Sequence, residues 1–231
     1  MRNKKSPMPT SHSHHPNPHF YGLLRTLARI LLKLLTRMQV RGLENVPAHG
    51  PYIVVCNHLS KLDPPIILAI IPATITVFAA DTHRHDFFTG ELMNRMGAIW
   101  VRRGEPDREA LRAALQVLKE NGVIGLAPEG TRSRTGALIK GKIGVAYLAA
   151  HANVPIVPVA LTGTEVGLSA VFRLKRPRTT ATIGPPFRLP ECGGRPSRQA
   201  LDAYTDTIML TLARMLPEQY RGVYRDAAAG D

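Results

Sequence analysis

Residues 52–65 read YIVVCNHLSKLDPP. Tyr52 to Cys56 is a short β-branched, apolar run, the pattern of a strand. Pro64 suits the first turn of a helix and holds the residue before it, Asp63, in an extended conformation. The polar residues from Asn57 to Asp63 therefore form a loop between a strand and a helix. His58 and Asp63 would stand about 140° apart on a helix, so they meet only if the chain turns between them.

Working outward, the same alternation recurs. Strands are predicted at Thr74–Ala80, Ala98–Arg102, Val123–Ala127, Ile156–Leu161 and Thr180–Ile183. Glu105–Glu120 reads as a helix with Leu111, Ala114, Leu115 and Leu118 on one face and Gly122 as its stop. Lys142–Ala152 is a second helix. Residues 197–216 form another, with Ser197 as N-cap and Leu201, Tyr204, Ile208, Leu212 and Met215 on its apolar face. Pro64 to Ala80 carries no charge, but Pro72 divides it into a short helix and a strand rather than a membrane span. This rhythm predicts one α/β domain over residues 41–231, with a mainly parallel central sheet flanked by helices.

Ahead of it, residues 1–19 are rich in Pro, Ser, His and Asn and read as a mobile tail, with His12, His14 and His15 as solvated residues. Residues 20–40 (FYGLLRTLARILLKLLTRMQV) repeat a cation every fourth position, Arg25, Arg29, Lys33 and Arg37, opposite a stripe of Leu and Ile. Four central cations cost about 2.5–3 kcal/mol each on insertion and the apolar residues return only about 0.5 each, so a span is disfavoured. The charges also break any signal-peptide core. Two placements of this amphipathic helix remain: in the plane of a membrane interface with the basic stripe on anionic headgroups, or packed on the domain with the stripe solvated.

Thirty Lys and Arg against 17 Asp and Glu leave a formal charge of +13, which calls for a polyanionic partner, a bilayer or nucleic acid. Cys56 and Cys192 lack metal-site or disulfide spacing, which points to a reducing cytoplasm.

Four short blocks carry chemistry. In the first, Asp63 can fix the imidazole tautomer of His58 and leave its other nitrogen to take a proton; with equal economy, Asp63 caps the helix and His58 is a polar loop residue. In GAIWVRRG, residues 97–104, Arg102 and Arg103 end a strand and can grip a phosphate, or be solvated. In PEGTRSR, residues 128–134, a glycine, hydroxyls and Arg132 follow an apolar strand at the usual ligand edge of a parallel sheet, or form a polar turn. VPIVPV, residues 154–159, places prolines three apart, which predicts an edge strand or a bulge.

In this order the blocks resemble those of the lysophosphatidic acid and glycerol-3-phosphate acyltransferases, over roughly residues 40–190. NHLSKLD matches the NHxxxxD block, and Trp100 and Ala127 stand where the family usually has Phe. The resemblance implies that His58 is the general base, oriented by Asp63, and that Arg102, Arg103, Glu129, Gly130, Thr131 and Arg132 hold the acceptor phosphate. It implies no metal, no bound cofactor and no covalent intermediate, with acyl-CoA or acyl carrier protein arriving as substrate. The partners expected are a lysophospholipid acceptor, most simply 1-acyl-glycerol-3-phosphate, and an anionic membrane surface at the cytoplasmic face, not nucleic acid. Acylation of glycerol 3-phosphate or another lysolipid, and a non-catalytic basic peripheral protein, are the alternatives; the latter has no need of the His58/Asp63 pair.

Overall fold

Tyr52–Cys56 becomes the central strand of a seven-stranded sheet. A computed structural model describes residues 17–102, 107–166, 175–191 and 194–230. Its strands are β1 (Arg37–Arg41), β2 (Tyr52–Cys56), β3 (Ile75–Ala80), β4 (Ile99–Val101), β5 (Val123–Leu126), β6 (Ile156–Thr162) and β7 (Arg178–Ile183). They lie in the order β1-β7-β6-β2-β5-β3-β4. Only β6 and β7 pair antiparallel, so β1 and β7 run against the other five. Helices α1 (Pro18–Leu35), α2 (Asp63–Ile70) and α3 (Phe87–Arg95) cover one face, and α4 (Arg108–Lys119), α5 (Gly144–Ala152) and α6 (Arg198–Met215) the other.

The absence of polar alternation in YIVVC now has its cause. Ile53 and Val55 pack with Ile124, Leu148 and Leu212 on the α4–α6 side, while Tyr52 and Val54 pack with Val157, Ile66 and Leu32 on the α1–α2 side, and all are buried. A strand covered on both faces has no side that can be polar. The expected cap forms as well: Ser197 accepts from the Ala200 N–H at 3.1 Å. The helix expected from Glu105 begins at Arg108, where Asp107 caps it by accepting from the Ala110 N–H at 3.1 Å.

Three expectations change. The helix expected over residues 20–40 stops at Leu35, where extended Thr36 turns its hydroxyl back to the Leu32 carbonyl at 2.7 Å. Residues Arg37–Arg41 are instead an edge strand in register with Arg178–Thr182 of β7, so this part of the segment belongs to the domain's sheet. The fourfold charge period continues through Arg37, but the partner strand that outweighs it lies far away in sequence. The second concerns β6, where of the two alternatives the bulge holds and the edge strand does not: β6 lies between β2 and β7. Pro158 is tolerated there because the ladder beyond it is irregular. Ile156 bridges Phe187 and Val159 pairs with Ile183, which leaves one extra residue on the β7 side, and the Pro158 carbonyl accepts from Gly184 N–H at 2.9 Å. Third, α3 had no counterpart in the sequence reading. The tail through residue 16, including His12, His14 and His15, lies outside the described residues, as do Arg103 and Cys192.

Past α6, the chain returns to brace the site. Tyr220 accepts the Leu138 N–H on its carbonyl at 2.8 Å, and the Tyr224 hydroxyl accepts from Gly141 N–H at 3.0 Å. The loop that follows β5 is thereby held from both sides.

Candidate active site

The carboxyl ends of β2, β4 and β5 open on one edge of the sheet, and the blocks singled out above converge there. Asp63 is the first residue of α2, with prolines in the next two positions. Its Oδ2 accepts three hydrogen bonds, from Leu59 N–H and Ser60 N–H, each at 2.7 Å, and from His58 Nδ1 at 2.8 Å. Of the two roles weighed for Asp63, orientation of the imidazole is the one the geometry shows: the helix N-cap is Leu62, without a side-chain cap bond, and the Asp63 oxygen closes the loop before the helix and receives the ring N–H. The Asp63 side chain is 2% exposed and that of His58 24%. With Nδ1 donating to the carboxylate, the neutral ring keeps its lone pair on Nε2, which makes no hydrogen bond among the described residues.

Glu129 follows β5 and is buried. Its Oε1 accepts from His58 N–H at 2.8 Å and its Oε2 from Ile139 N–H at 3.1 Å. Burial pushes its pKa up, against a smaller lowering by the two N–H groups. Both carboxylate oxygens are thus taken by backbone, and Glu129, expected at the acceptor phosphate, fixes the main chain of His58 to the loop after β5. Ser133 N–H donating to His58 O at 2.8 Å completes that joint. Asn57 anchors the strand end itself, exchanging hydrogen bonds of 2.7 and 2.8 Å with the backbone of Leu161 on β6.

Around His58 opens a cavity of about 1280 Å³ that saddles the sheet edge. On one side it runs between α1, α2 and the sheet, past Leu24, Leu31, Val54 and Ile67; on the other it reaches Leu111, Ile143 and Leu148 beneath α4 and α5. These walls are mostly apolar, with Arg198, Asp202 and Asp206 of α6 among them, whereas Arg102, Gly130, Thr131, Lys140 and Lys142, with Asp107 beside Arg102, set a polar rim rich in cations. Gly130 has φ +67°, a conformation that favours glycine, and a Cβ there would lie 2.9 Å from Lys142 Cδ and push the lysine aside. Arg102 is 62% exposed, with Nε 3.7 Å from Asp107. Arg132 is exposed and stands outside the cavity wall. Lys140 and Lys142 were missed from the sequence, although IKGK, five residues after PEGTRS, is a visible pair of cations.

Cys56 also lines the cavity. Burial, with the Asp63 and Glu129 carboxylates adding to it, drives its thiol pKa far above the ordinary value. A thiolate is disfavoured there, which argues against a nucleophilic role for Cys56.

The acyltransferase family model matches residues 37–162, over half of the chain. The 1-acyl-sn-glycerol-3-phosphate acyltransferase of Bacillus subtilis is 24% identical over 189 residues, 81% of this chain and 92% of that protein. The enzyme of the same name from Saccharomyces cerevisiae is 33% identical over 149 residues, 62% of this chain and 49% of the yeast protein, so the likeness there spans about half of the relative. Among solved structures, that of the 1-acyl-sn-glycerophosphate acyltransferase PlsC from Thermotoga maritima superposes with a TM-score of 0.65 at 25% identity, covering 81% of this chain and 76% of that one. The match reaches from β1 through β6, over His58, Asp63 and the loop after β5, and on it this chain belongs to the acyltransferase family.

Proposed function

We propose that the chain transfers a fatty acyl group from acyl-CoA or acyl carrier protein to the free hydroxyl of 1-acylglycerol 3-phosphate, making phosphatidic acid. The observation that carries this reading is an oriented His58–Asp63 pair at the meeting point of apolar walls and a cationic rim. Apolar walls accept acyl chains, and Arg102, Lys140 and Lys142 suit a phosphate. His58 Nε2 takes the acceptor hydroxyl proton as that oxygen attacks the thioester carbonyl. Collapse of the tetrahedral species breaks the carbon–sulfur bond, and the proton passes from the imidazolium to the departing thiolate. Asp63 keeps the ring in the tautomer this requires. The relatives named above support the choice of acceptor.

Attachment to a bilayer is part of the proposal. No helix among the described residues is long and apolar enough to cross a membrane. Leu23, Leu27, Ile30, Leu31 and Leu34 of α1 are 44–69% exposed, and Leu27 and Leu31 also border the cavity. A helix lying with this face in the interface lets a lipid chain enter the cavity without crossing water. Donors made in the cytoplasm put the enzyme on the cytoplasmic face.

The test is acyl transfer by the purified chain, with each donor, to 1-acylglycerol 3-phosphate, other lysophospholipids and glycerol 3-phosphate. The first acceptor should be preferred, and His58→Ala should lower turnover by about 10²–10⁴ with the fold intact. Preference for glycerol 3-phosphate would overturn the acceptor; full activity in His58→Ala would overturn the base.

A further inference from the structure

Helix α1 has three faces. Tyr21, Ala28 and Leu32 are buried, Leu23, Leu27, Ile30 and Leu34 are exposed, and Arg29 and Lys33 occupy a third face about 100–140° around from Ala28. Against this third face lies a second cleft of about 640 Å³, across α1 from the active-site cavity. Arg29, Lys33, Arg37 and Arg176 line it, Ala69 and Ile70 contribute its apolar surface, and Val40 and Leu43 stand at its lip.

Two of the four cations are engaged in the fold. Arg29 Nε donates to the Ala69 carbonyl at 2.8 Å, and Arg176 donates to the carbonyls of Lys33 and Thr36 at 2.5 and 3.0 Å. The side chains of Lys33 and Arg37 make no hydrogen bond or ion pair among the described residues. Among the described residues no carboxylate pairs with them: Glu44, next to Leu43 at the lip, makes no ion pair with either, and the sequence has no Asp or Glu before it, none between Asp63 and Asp81, and none between Glu165 and Glu191. Asp63 itself is buried at the active site. Four cations around one concavity repel one another unless an anion enters. At the lip Val40 and Leu43 are 37% and 49% exposed, and the neighbouring outer face of α1 exposes Ile30 and Leu34, so the anion that fits carries an apolar body beside its charge.

We infer that this cleft binds the phosphate headgroup of an anionic phospholipid of the bilayer, a second lipid site distinct from the catalytic cavity. It rests on the reading of α1 as the membrane-facing helix. A free phosphate shares the anion chemistry, but the apolar lip selects the lipid. Lys33 and Arg37 supply the binding charge, while Arg29 and Arg176 hold the walls.

The experiment compares the full chain with Lys33→Gln/Arg37→Gln on vesicles of phosphatidylcholine alone and of phosphatidylcholine with phosphatidylglycerol. On the anionic vesicles the variant should bind about 30-fold more weakly, about fivefold per cation removed near such a surface. Binding to phosphatidylcholine vesicles and turnover of a short-chain, water-soluble acceptor should not change. Equal binding of both proteins to anionic vesicles overturns the site, and so does collapse of soluble-acceptor turnover. If inorganic phosphate displaces the wild type from anionic vesicles down to the variant's level at constant ionic strength, the cleft takes free phosphate and the lipid assignment fails. Phosphatidylcholine vesicles read α1 separately: if Leu23→Ser/Leu34→Ser binds them as wild type does, the membrane reading of α1 fails, whereas a loss confined to anionic vesicles in Lys33→Gln/Arg37→Gln belongs to the cleft.

Discussion

Three backbone segments meet at His58 through side-chain carboxylates: Asp63 closes the loop that bears it, and Glu129 ties its N–H to Ile139. Glu129 is thus a positioning residue, and Glu129→Gln separates that role from phosphate binding. The amide can accept from one N–H but presents its own donors to the other, so His58 should shift and turnover fall while the KM of the acceptor stays nearly constant. A phosphate ligand would show the reverse, with KM rising first. The pH dependence carries a second signature. Burial raises the Glu129 pKa, so between the ordinary carboxylate value and the raised one the native chain binds more protons than the unfolded chain, and stability falls as pH rises through that window. In Glu129→Gln this contribution to the slope disappears, which thermal melts across the acidic range will measure.

At the scale of elements, α1 shows how a charge pattern can mislead about what it faces. Arg25 lies inward, its Nε 3.2 Å from the Leu68 carbonyl and its Nη2 2.6 Å from that of Ala73, with the guanidinium 5.0 Å from the Tyr21 ring centre. Arg29 does the same for Ala69. These arginines satisfy carbonyls that α2 leaves open at its carboxyl end, where a cation is also favoured by the helix dipole. Arg25→Ala should therefore cost about 1.5–3 kcal/mol of stability, read as a lower denaturation midpoint. An arginine facing only headgroups or solvent would change stability by less than about 0.5 kcal/mol. The outer face of the helix is instead leucine-rich, so membrane attachment through it should resist salt, with only the charge-dependent share weakening as ionic strength rises.

For the whole molecule, α1 is a layer of the fold rather than a detachable anchor. It covers Tyr52, Val54 and Ile66 through Tyr21, Ala28 and Leu32, and the Tyr21 hydroxyl accepts from Ile75 N–H at 3.0 Å at the start of β3. Removing residues 1–36 bares that face, and at about 1.5–3 kcal/mol per large apolar side chain the loss rivals the 5–15 kcal/mol stability of a typical domain. The truncated chain should be insoluble or melt far below the full one; an unchanged melting temperature would make α1 an appendage. What the sequence determined by itself was whatever local order carries: β-branched runs and capping residues placed most strands and α4 to α6, and the turn forced by Pro64 brought His58 to Asp63. The tertiary structure alone decided the rest, because the answer depended on partners distant in the chain. β7 drew Arg37–Arg41 out of the helical pattern, an irregular ladder admitted Pro158 to the sheet interior, carbonyls at and beyond the end of α2 took hydrogen bonds from Arg25 and Arg29, and the main chain at His58 and Ile139 claimed the Glu129 carboxylate.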